Sequence, residues 1–317
     1  MELVILDGGM ANPGDLDWGA FSAHGSLRVF EDTVTDEKTI IGRIANAEVV
    51  LTNKTPISKQ VLEACPQIRY IGILATGYNV VDVAAAKQRG IPVCNVPTYG
   101  TDAVAQHTFA LLLEICSRVG HHADQVRAGR WSRESWCFWD TPLTELAGKT
   151  IGIIGFGRIG AAVANIAKAF SMRVLAYSRT KKEADGVEFV SLDKLFAASD
   201  VISLHCPLTD ETQHIIYRDS IAKMKDGVII LNTGRGPLIC ENALADALQS
   251  GKVFAAGLDV LSVEPPAANH PLTSLPNCFI TPHLAWASKD SRIRLLNCAA
   301  ENLRQYLAGT PINVVNP

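Results

Sequence analysis

An arginine, two acids and a histidine each stand at or just past the end of a short apolar run. "LNTGRGPLI" sets Arg235 between Gly234 and Gly236. "GLDVLSVEPP" puts Asp259 at the end of its run and Glu264 five residues on. "ITPHLAWAS" places His283 after Pro282, a position that tolerates a cis peptide. These residue types suit anion binding and proton transfer. Alone, each has an ordinary reading: an arginine between glycines is usually a loop residue, and a single histidine is usually a satisfied structural group. Together they fall where open α/β sheets bind ligands, outside the carboxyl ends of the strands.

A fourth run ends in "GFGRIG", residues 155–160. In a strand–turn–helix context Gly155 makes the tight turn, Gly157 admits a pyrophosphate to the backbone and Gly160 allows close helix packing. Phe156, Arg158 and Ile159 complete the turn, and the phosphates would lie on the amides at the start of a helix over 158–170. The next strand ends in "LAYSRTKKE". An acid near Ser178 would bond a ribose 2′-hydroxyl and repel a 2′-phosphate. Ser178 removes that repulsion, and Arg179, beside Thr180, offers a planar fork with Lys181 or Lys182 adding charge. The expected cofactor is therefore NADP, with NAD the alternative if "RTKKE" is only a solvated loop.

The elements that must hold these residues alternate strand and helix. Strands are expected at 3–7, 27–31, 48–53, 68–76 and 91–97, with helices such as 58–65 and 80–90 between them. A long helical segment covers 101–129, and an aromatic loop follows with Trp131, Trp136, Phe138 and Trp139. A second series begins at Lys149, with strands at 150–156, 173–178, 201–207, 228–234, 254–260 and 278–283. The pattern predicts two α/β units with parallel, doubly wound sheets, the second of six strands and inserted within the first. The substrate unit spans 1–99 and 287–317 and the dinucleotide unit 100–286. The last helix, 288–309, returns to the first unit.

With 317 residues, 48% hydrophobic and 19% charged, the chain has ample material for two cores. A net charge of −3 argues against a nucleic-acid surface. No apolar run approaches the roughly 20 residues of a membrane span, and the start lacks signal-peptide features. Eight scattered cysteines without a Cys-x-x-Cys pair suit reduced thiols in a cytoplasmic protein, and no metal site is expected. His121 and His122 are read as closing a helix and His205 as structural.

The chain resembles the D-isomer-specific 2-hydroxyacid dehydrogenases, by "GFGRIG", "HCPLTDET", "NTGRGPLI", "GLDVLSVEP" and "PHLAW". "LATGYNVVD", "CNVPTYGTDAVAQH" and "CFWDTPLTELAGKT" resemble the glycerate dehydrogenase or hydroxypyruvate reductase branch. The resemblance implies that Arg235 binds the substrate carboxylate and keto oxygen, that His283 exchanges the proton, and that Glu264 holds the imidazole and favours its charged form. It gives the Thr76 and Gly77 amides the carboxylate's other side, and Asp259 the nicotinamide carboxamide or its ribose. Cys206, Pro207, Thr212, Thr233 and Gly234 would line the cofactor crevice, and Trp286 could shape the substrate pocket. It also implies an interface formed by long arms near the aromatic loop, whose tip would then reach a partner's active site, with burial against its own subunit the alternative. A homodimer with lobes that close over substrate is expected.

The expected reaction is reduction of hydroxypyruvate or glyoxylate to D-glycerate or glycolate. A D-lactate-type or broad 2-keto acid reductase remains open, because nothing in Gly77, Arg235 or His283 reads the substituent at C3. Formate oxidation fits poorly, since it needs no proton-transfer pair such as Glu264 and His283. A cofactor-sensing binding protein or a feedback-regulated phosphoglycerate dehydrogenase is disfavoured by ends that leave no room for a recruiting tail or a regulatory domain.

Overall fold

The computed structural model describes residues 1–133, 136–180 and 182–317. The chain divides into two compact units, Met1–Gly100 with Ala287–Pro317, and Thr101–Trp286.

The first unit has five strands: β1 (Glu2–Ile5), β2 (Ser26–Val29), β3 (Val49–Thr52), β4 (Tyr70–Ile73) and β5 (Val93–Cys94). All pair in parallel, in the order β2-β1-β3-β4-β5. Every residue of β3 and β4 is buried, as expected when helices cover both faces of a parallel sheet. Each fully buried isoleucine or leucine there contributes about 1.5–3 kcal/mol by leaving water. Asp36, Ser58 and Asp82 cap the helices that follow by accepting from backbone amides. The strand order reverses between β1 and β3, where ligands lie in this topology. At that point the buried carboxylate of Asp7 accepts from the amides of Asn53, Lys54 and Thr55 at 2.7, 2.6 and 2.6 Å, which fixes the loop after β3. The helix Lys289–Leu307 packs on β4, with Tyr306 and Tyr70 rings 4.7 Å apart.

The second unit has seven strands rather than six: β6 (Thr150–Ile154), β7 (Arg173–Tyr177), β8 (Val187–Phe189), β9 (Val201–Leu204), β10 (Val228–Asn232), β11 (Val253–Leu258) and β12 (Cys278–Ile280). Their order is β12-β11-β10-β9-β6-β7-β8, all parallel, so the strand order reverses between β6 and β9. The strand that the sequence did not announce, β8, is a three-residue edge strand without a buried residue. Its three residues, Val187, Glu188 and Phe189, are too few for a periodic signal.

The long segment 101–129 is two helices, Thr101–Ser117 and Val119–Arg127. Arg118 between them has φ +51°, a left-handed conformation that interrupts the helical path. His121 and His122 therefore lie in the first turn of the second helix and do not close the first. His122 Nδ1 is 2.8 Å from the Arg118 carbonyl, and His121 Nε2 is 2.5 Å from Asp140.

Candidate active site

The glycine turn leads from β6 into the helix Arg158–Ala169. Gly155 has φ +97°, and a Cβ there would stand 2.4 Å from the Cys206 amide nitrogen at the end of β9. Only glycine lets the two loops meet at the reversal point. A Cβ on Gly160 would come within 2.3 Å of the Gly155 carbonyl, whereas one on Gly157 would meet nothing within 4 Å. Gly157 thus borders open space at the start of a helix that has no side-chain cap, so its first amides remain available to an anion. These residues fit a dinucleotide pyrophosphate.

Ser178 is half-buried at the end of β7, and Arg179 and Thr180 are exposed. Arg179 Nη1 is 3.5 Å from the exposed carboxylate of Glu211, and Lys182 Nζ donates to the Phe156 carbonyl at 2.5 Å. Lys181 lies outside the described residues. Across the crevice the Thr212 hydroxyl donates to the Pro207 carbonyl and accepts from the Thr209 amide, shaping the loop after β9. Ser203 Oγ is 2.8 Å from His205 Nε2, and burial pulls the His205 pKa down from 6.5 to about 4. Burial also pushes the Cys206 thiol up. His205 is accordingly a neutral structural group.

Arg235, Glu264 and His283 follow three neighbouring strands, β10, β11 and β12. Asn232 at the end of β10 is buried, donates to the Arg235 carbonyl at 2.9 Å and accepts from the Gly234 amide at 3.0 Å. This closes the turn and leaves the Arg235 side chain exposed, with Nη1 donating to the Gly234 carbonyl. A Cβ on Gly236 would stand 2.0 Å from the Leu261 carbonyl carbon, so the arginine loop passes directly against the loop that carries Glu264. Glu264 Oε1 accepts from the Leu261 amide at 3.0 Å, and Oε2 lies 2.6 Å from His283 Nδ1. His283 has φ +53°, a strained conformation for a residue with a side chain. Its amide lies 2.9 Å from both the Asp259 and Thr281 carbonyls. The cis peptide bond among the described residues is Glu264–Pro265, not the bond before Pro282.

Asp259 is 1% exposed. Its carboxylate accepts from Thr281 Oγ1 at 2.6 Å and from the Leu284 and Ala285 amides at 2.9 and 2.8 Å. It is thus spent on shaping the His283 loop, a task that its place at a strand end did not announce. Trp286 donates from Nε1 to the His283 carbonyl at 2.8 Å, which ties the ring to the same loop. Sequence reasoning missed His107 and Thr108 on the helix Thr101–Ser117. His107 Nε2 is 3.0 Å from Thr281 Oγ1, and Thr108 Oγ1 is 2.9 Å from Thr233 Oγ1. The signal available was His107 and Thr108 following Gln106, three hydrogen-bonding residues in a row within a mostly apolar helix.

Thr76 and Gly77 belong to the first unit, just past β4. Thr76 donates to the Val96 carbonyl at 2.8 Å, and its own carbonyl accepts from Asn95 at 2.7 Å. In the aromatic loop, Trp131 donates to the Trp136 carbonyl, and Trp131, Trp136 and Trp139 are 56%, 90% and 62% exposed. Among the described residues no cluster of His, Cys, Asp and Glu is arranged for a metal ion, and no helix is long and apolar enough to cross a membrane.

A doubly wound dinucleotide unit with an arginine, a glutamate and a histidine on adjoining strand-end loops defines an oxidoreductase acting on the CH–OH group of a 2-hydroxy acid. The chain belongs to the D-isomer-specific 2-hydroxyacid dehydrogenases: residues 109–285, more than half its length, match that family's NAD-binding domain. It therefore uses a nicotinamide dinucleotide. A hydroxypyruvate reductase of Blautia hydrogenotrophica is 56% identical, over 100% of both chains. Two solved structures share the fold. An acyclic imino acid reductase in complex with NADPH and D-Arg is 32% identical with a TM-score of 0.85, over 99% of this chain and 100% of that one. The D-lactate dehydrogenase of Aquifex aeolicus, complexed with NAD and lactic acid, is 31% identical with a TM-score of 0.82, over 100% and 99%.

Proposed function

We propose that the protein reduces hydroxypyruvate to D-glycerate and glyoxylate to glycolate. The observation that carries the chemistry is the 2.6 Å pair of His283 Nδ1 and Glu264 Oε2. The substrate assignment rests on the 56% identity to a hydroxypyruvate reductase over the full chain. Bound nicotinamide supplies the hydride. Arg235 holds the substrate carboxylate and the keto oxygen with its planar fork. His283 donates its Nε2 proton to that oxygen as negative charge develops there, and takes it back in the reverse direction. Glu264 fixes the ring so that Nε2, and not Nδ1, handles the proton. The first unit's part is carried by the Thr76 and Gly77 amides, which lie at that unit's own ligand edge.

NADPH is the preferred cofactor in this reading, because Ser178 carries no charge and Arg179 is exposed beside it. The exposed tryptophans after the helix Val119–Arg127 form the face on which two copies of the chain meet. Sedimentation at micromolar concentration tests that assembly: a dimer supports it and a monomer excludes it.

The decisive experiment measures initial rates with hydroxypyruvate, glyoxylate and pyruvate, each with NADPH and NADH, for the wild type, Arg235→Gln and His283→Asn. The expected order puts hydroxypyruvate first, with either variant lowering kcat/KM by about 10²-fold or more. Preference for pyruvate moves the assignment to a D-lactate-type reductase. Absence of turnover with all three moves the assignment to another 2-keto acid or to a cofactor-sensing protein.

A further inference from the structure

The helix Thr101–Ser117 packs on β10 and β11, with Leu111 and Ile115 against Gly257 of β11. Two consecutive residues near its middle reach two different catalytic loops. His107 contacts Thr281, two residues before His283, and Thr108 contacts Thr233, two residues before Arg235. Adjacent helical residues point about 100° apart, so one rigid segment can brace two separate loops at once.

Hydrogen bonding sets a direction in each contact. Thr281 gives its hydroxyl proton to Asp259 Oδ1 at 2.6 Å, so its oxygen receives the proton on His107 Nε2. Asp259 in turn holds the amides of Leu284 and Ala285, on the far side of His283. The chain His107–Thr281–Asp259 therefore spans both flanks of a residue whose backbone is strained. Thr108 is fully buried and donates to the Val104 carbonyl at 2.8 Å, so the Thr233 hydroxyl donates to Thr108. Neither pair touches an expected reacting atom.

We infer that His107 and Thr108 form a two-pronged brace that fixes the spacing between the carboxylate-binding Arg235 and the proton-donating His283. They are positioning residues for the reaction. This inference rests on the roles of Arg235 and His283 proposed above. The reacting groups must meet within a fraction of an ångström, and a misplacement of about 1 Å costs on the order of 10²-fold in rate.

The test compares His107→Ala, His107→Gln and Thr108→Val with the wild type on hydroxypyruvate, with thermal unfolding recorded for each. His107→Ala should lower kcat by about 10- to 100-fold, with KM changed less than about threefold and the fold retained. His107→Gln, which restores an N–H toward Thr281, should recover most of the loss. Thr108→Val keeps the shape and removes the hydroxyl, and should raise KM more than it lowers kcat. Unchanged kinetics in His107→Ala and Thr108→Val overturn the brace. So does a loss that follows melting temperature and is not rescued by glutamine. If Arg235→Gln itself retains full activity, the parent reading fails first. If Arg235→Gln is inactive and the His107 and Thr108 variants are normal, the brace alone fails.

Discussion

His283 and Glu264 are joined by a 2.6 Å contact between Nδ1 and Oε2, although they stand nineteen positions apart along the chain. The glutamate is also anchored by the Leu261 amide, so the imidazole is oriented by a fixed partner and not by a mobile side chain. An oriented ring presents Nε2 in one tautomer, which decides the proton's path. Replacing Glu264 by glutamine keeps the size and removes the charge. The kcat for 2-keto acid reduction should fall by about 10²-fold, with KM little altered because Arg235 is untouched. Aspartate should give an intermediate rate. A glutamine variant with wild-type kcat would remove the pair from the mechanism.

Arg179 faces Glu211 at 3.5 Å, and both side chains are exposed, 62% and 74%. Such a pair adds little to stability, but it competes for the guanidinium that a 2′-phosphate would need. Arg179→Gln should raise the KM for NADPH about tenfold and leave that for NADH nearly unchanged. Glu211→Gln should lower the NADPH value a few-fold, most clearly at low salt. Equal responses of the two cofactors in both variants would make Arg179 an ordinary surface residue.

Gly236 sits where the arginine loop crosses Leu261 and Ser262. Gly236→Ala introduces a Cβ against backbone that cannot rotate away. The expected cost is about 1–3 kcal/mol, with a fall in melting temperature. Activity should drop further than stability, since the same shift separates Arg235 from Glu264. Calorimetry and kcat/KM on one preparation measure both. A variant that melts with the wild type and turns over normally would show that the crossing is loose.

His205 titrates at about 4 because burial penalises its charged form, against an ordinary value of 6.5. Above pH 6.5 the histidine is neutral in folded and unfolded chains alike and has no effect. Between 6.5 and 4 the unfolded chain takes up a proton that the folded chain refuses. Folding stability therefore falls with acid, by at most about 1.4 kcal/mol per pH unit from this group. His205→Gln should flatten that slope. Urea unfolding at pH 7.5 and pH 5 reads it, and an unchanged slope would assign the acid sensitivity elsewhere.

The strands that carry the site were legible because each is a short apolar run followed by a polar residue, as with Asn232 before Arg235 and Thr281 before His283. The glycine turn was legible because its spacing is set by local geometry. What stayed hidden depends on contacts that local sequence does not encode. The crossing at Gly236 joins two loops about 25 residues apart, and nothing near Gly236 signals Leu261. His107 and Thr108 look like helix residues until Thr281 and Thr233 come beside them. Arg118 breaks a helix at a residue that is itself neither glycine nor proline, and Gly120, two residues on, lies inside the second helix and does not mark the break. The edge strand β8 alternates Val187, Glu188 and Phe189 but is only three residues long, below the roughly four to eight on which strand reading depends.

The insertion of Thr101–Trp286 within the first unit imposes an order of events during synthesis. The helix Lys289–Leu307 that covers β4, and Val315, whose amide bonds the Val93 carbonyl, leave the ribosome only after the whole inserted unit. At about 5–20 residues per second, the first hundred residues wait roughly 10–40 s for the helix that covers their sheet. Through that interval the ring of Tyr70, fully buried in the finished protein, lacks its neighbour Tyr306. The nascent first unit thus leaves a face of β4 uncovered until synthesis nears its end, while the dinucleotide unit is contiguous in sequence.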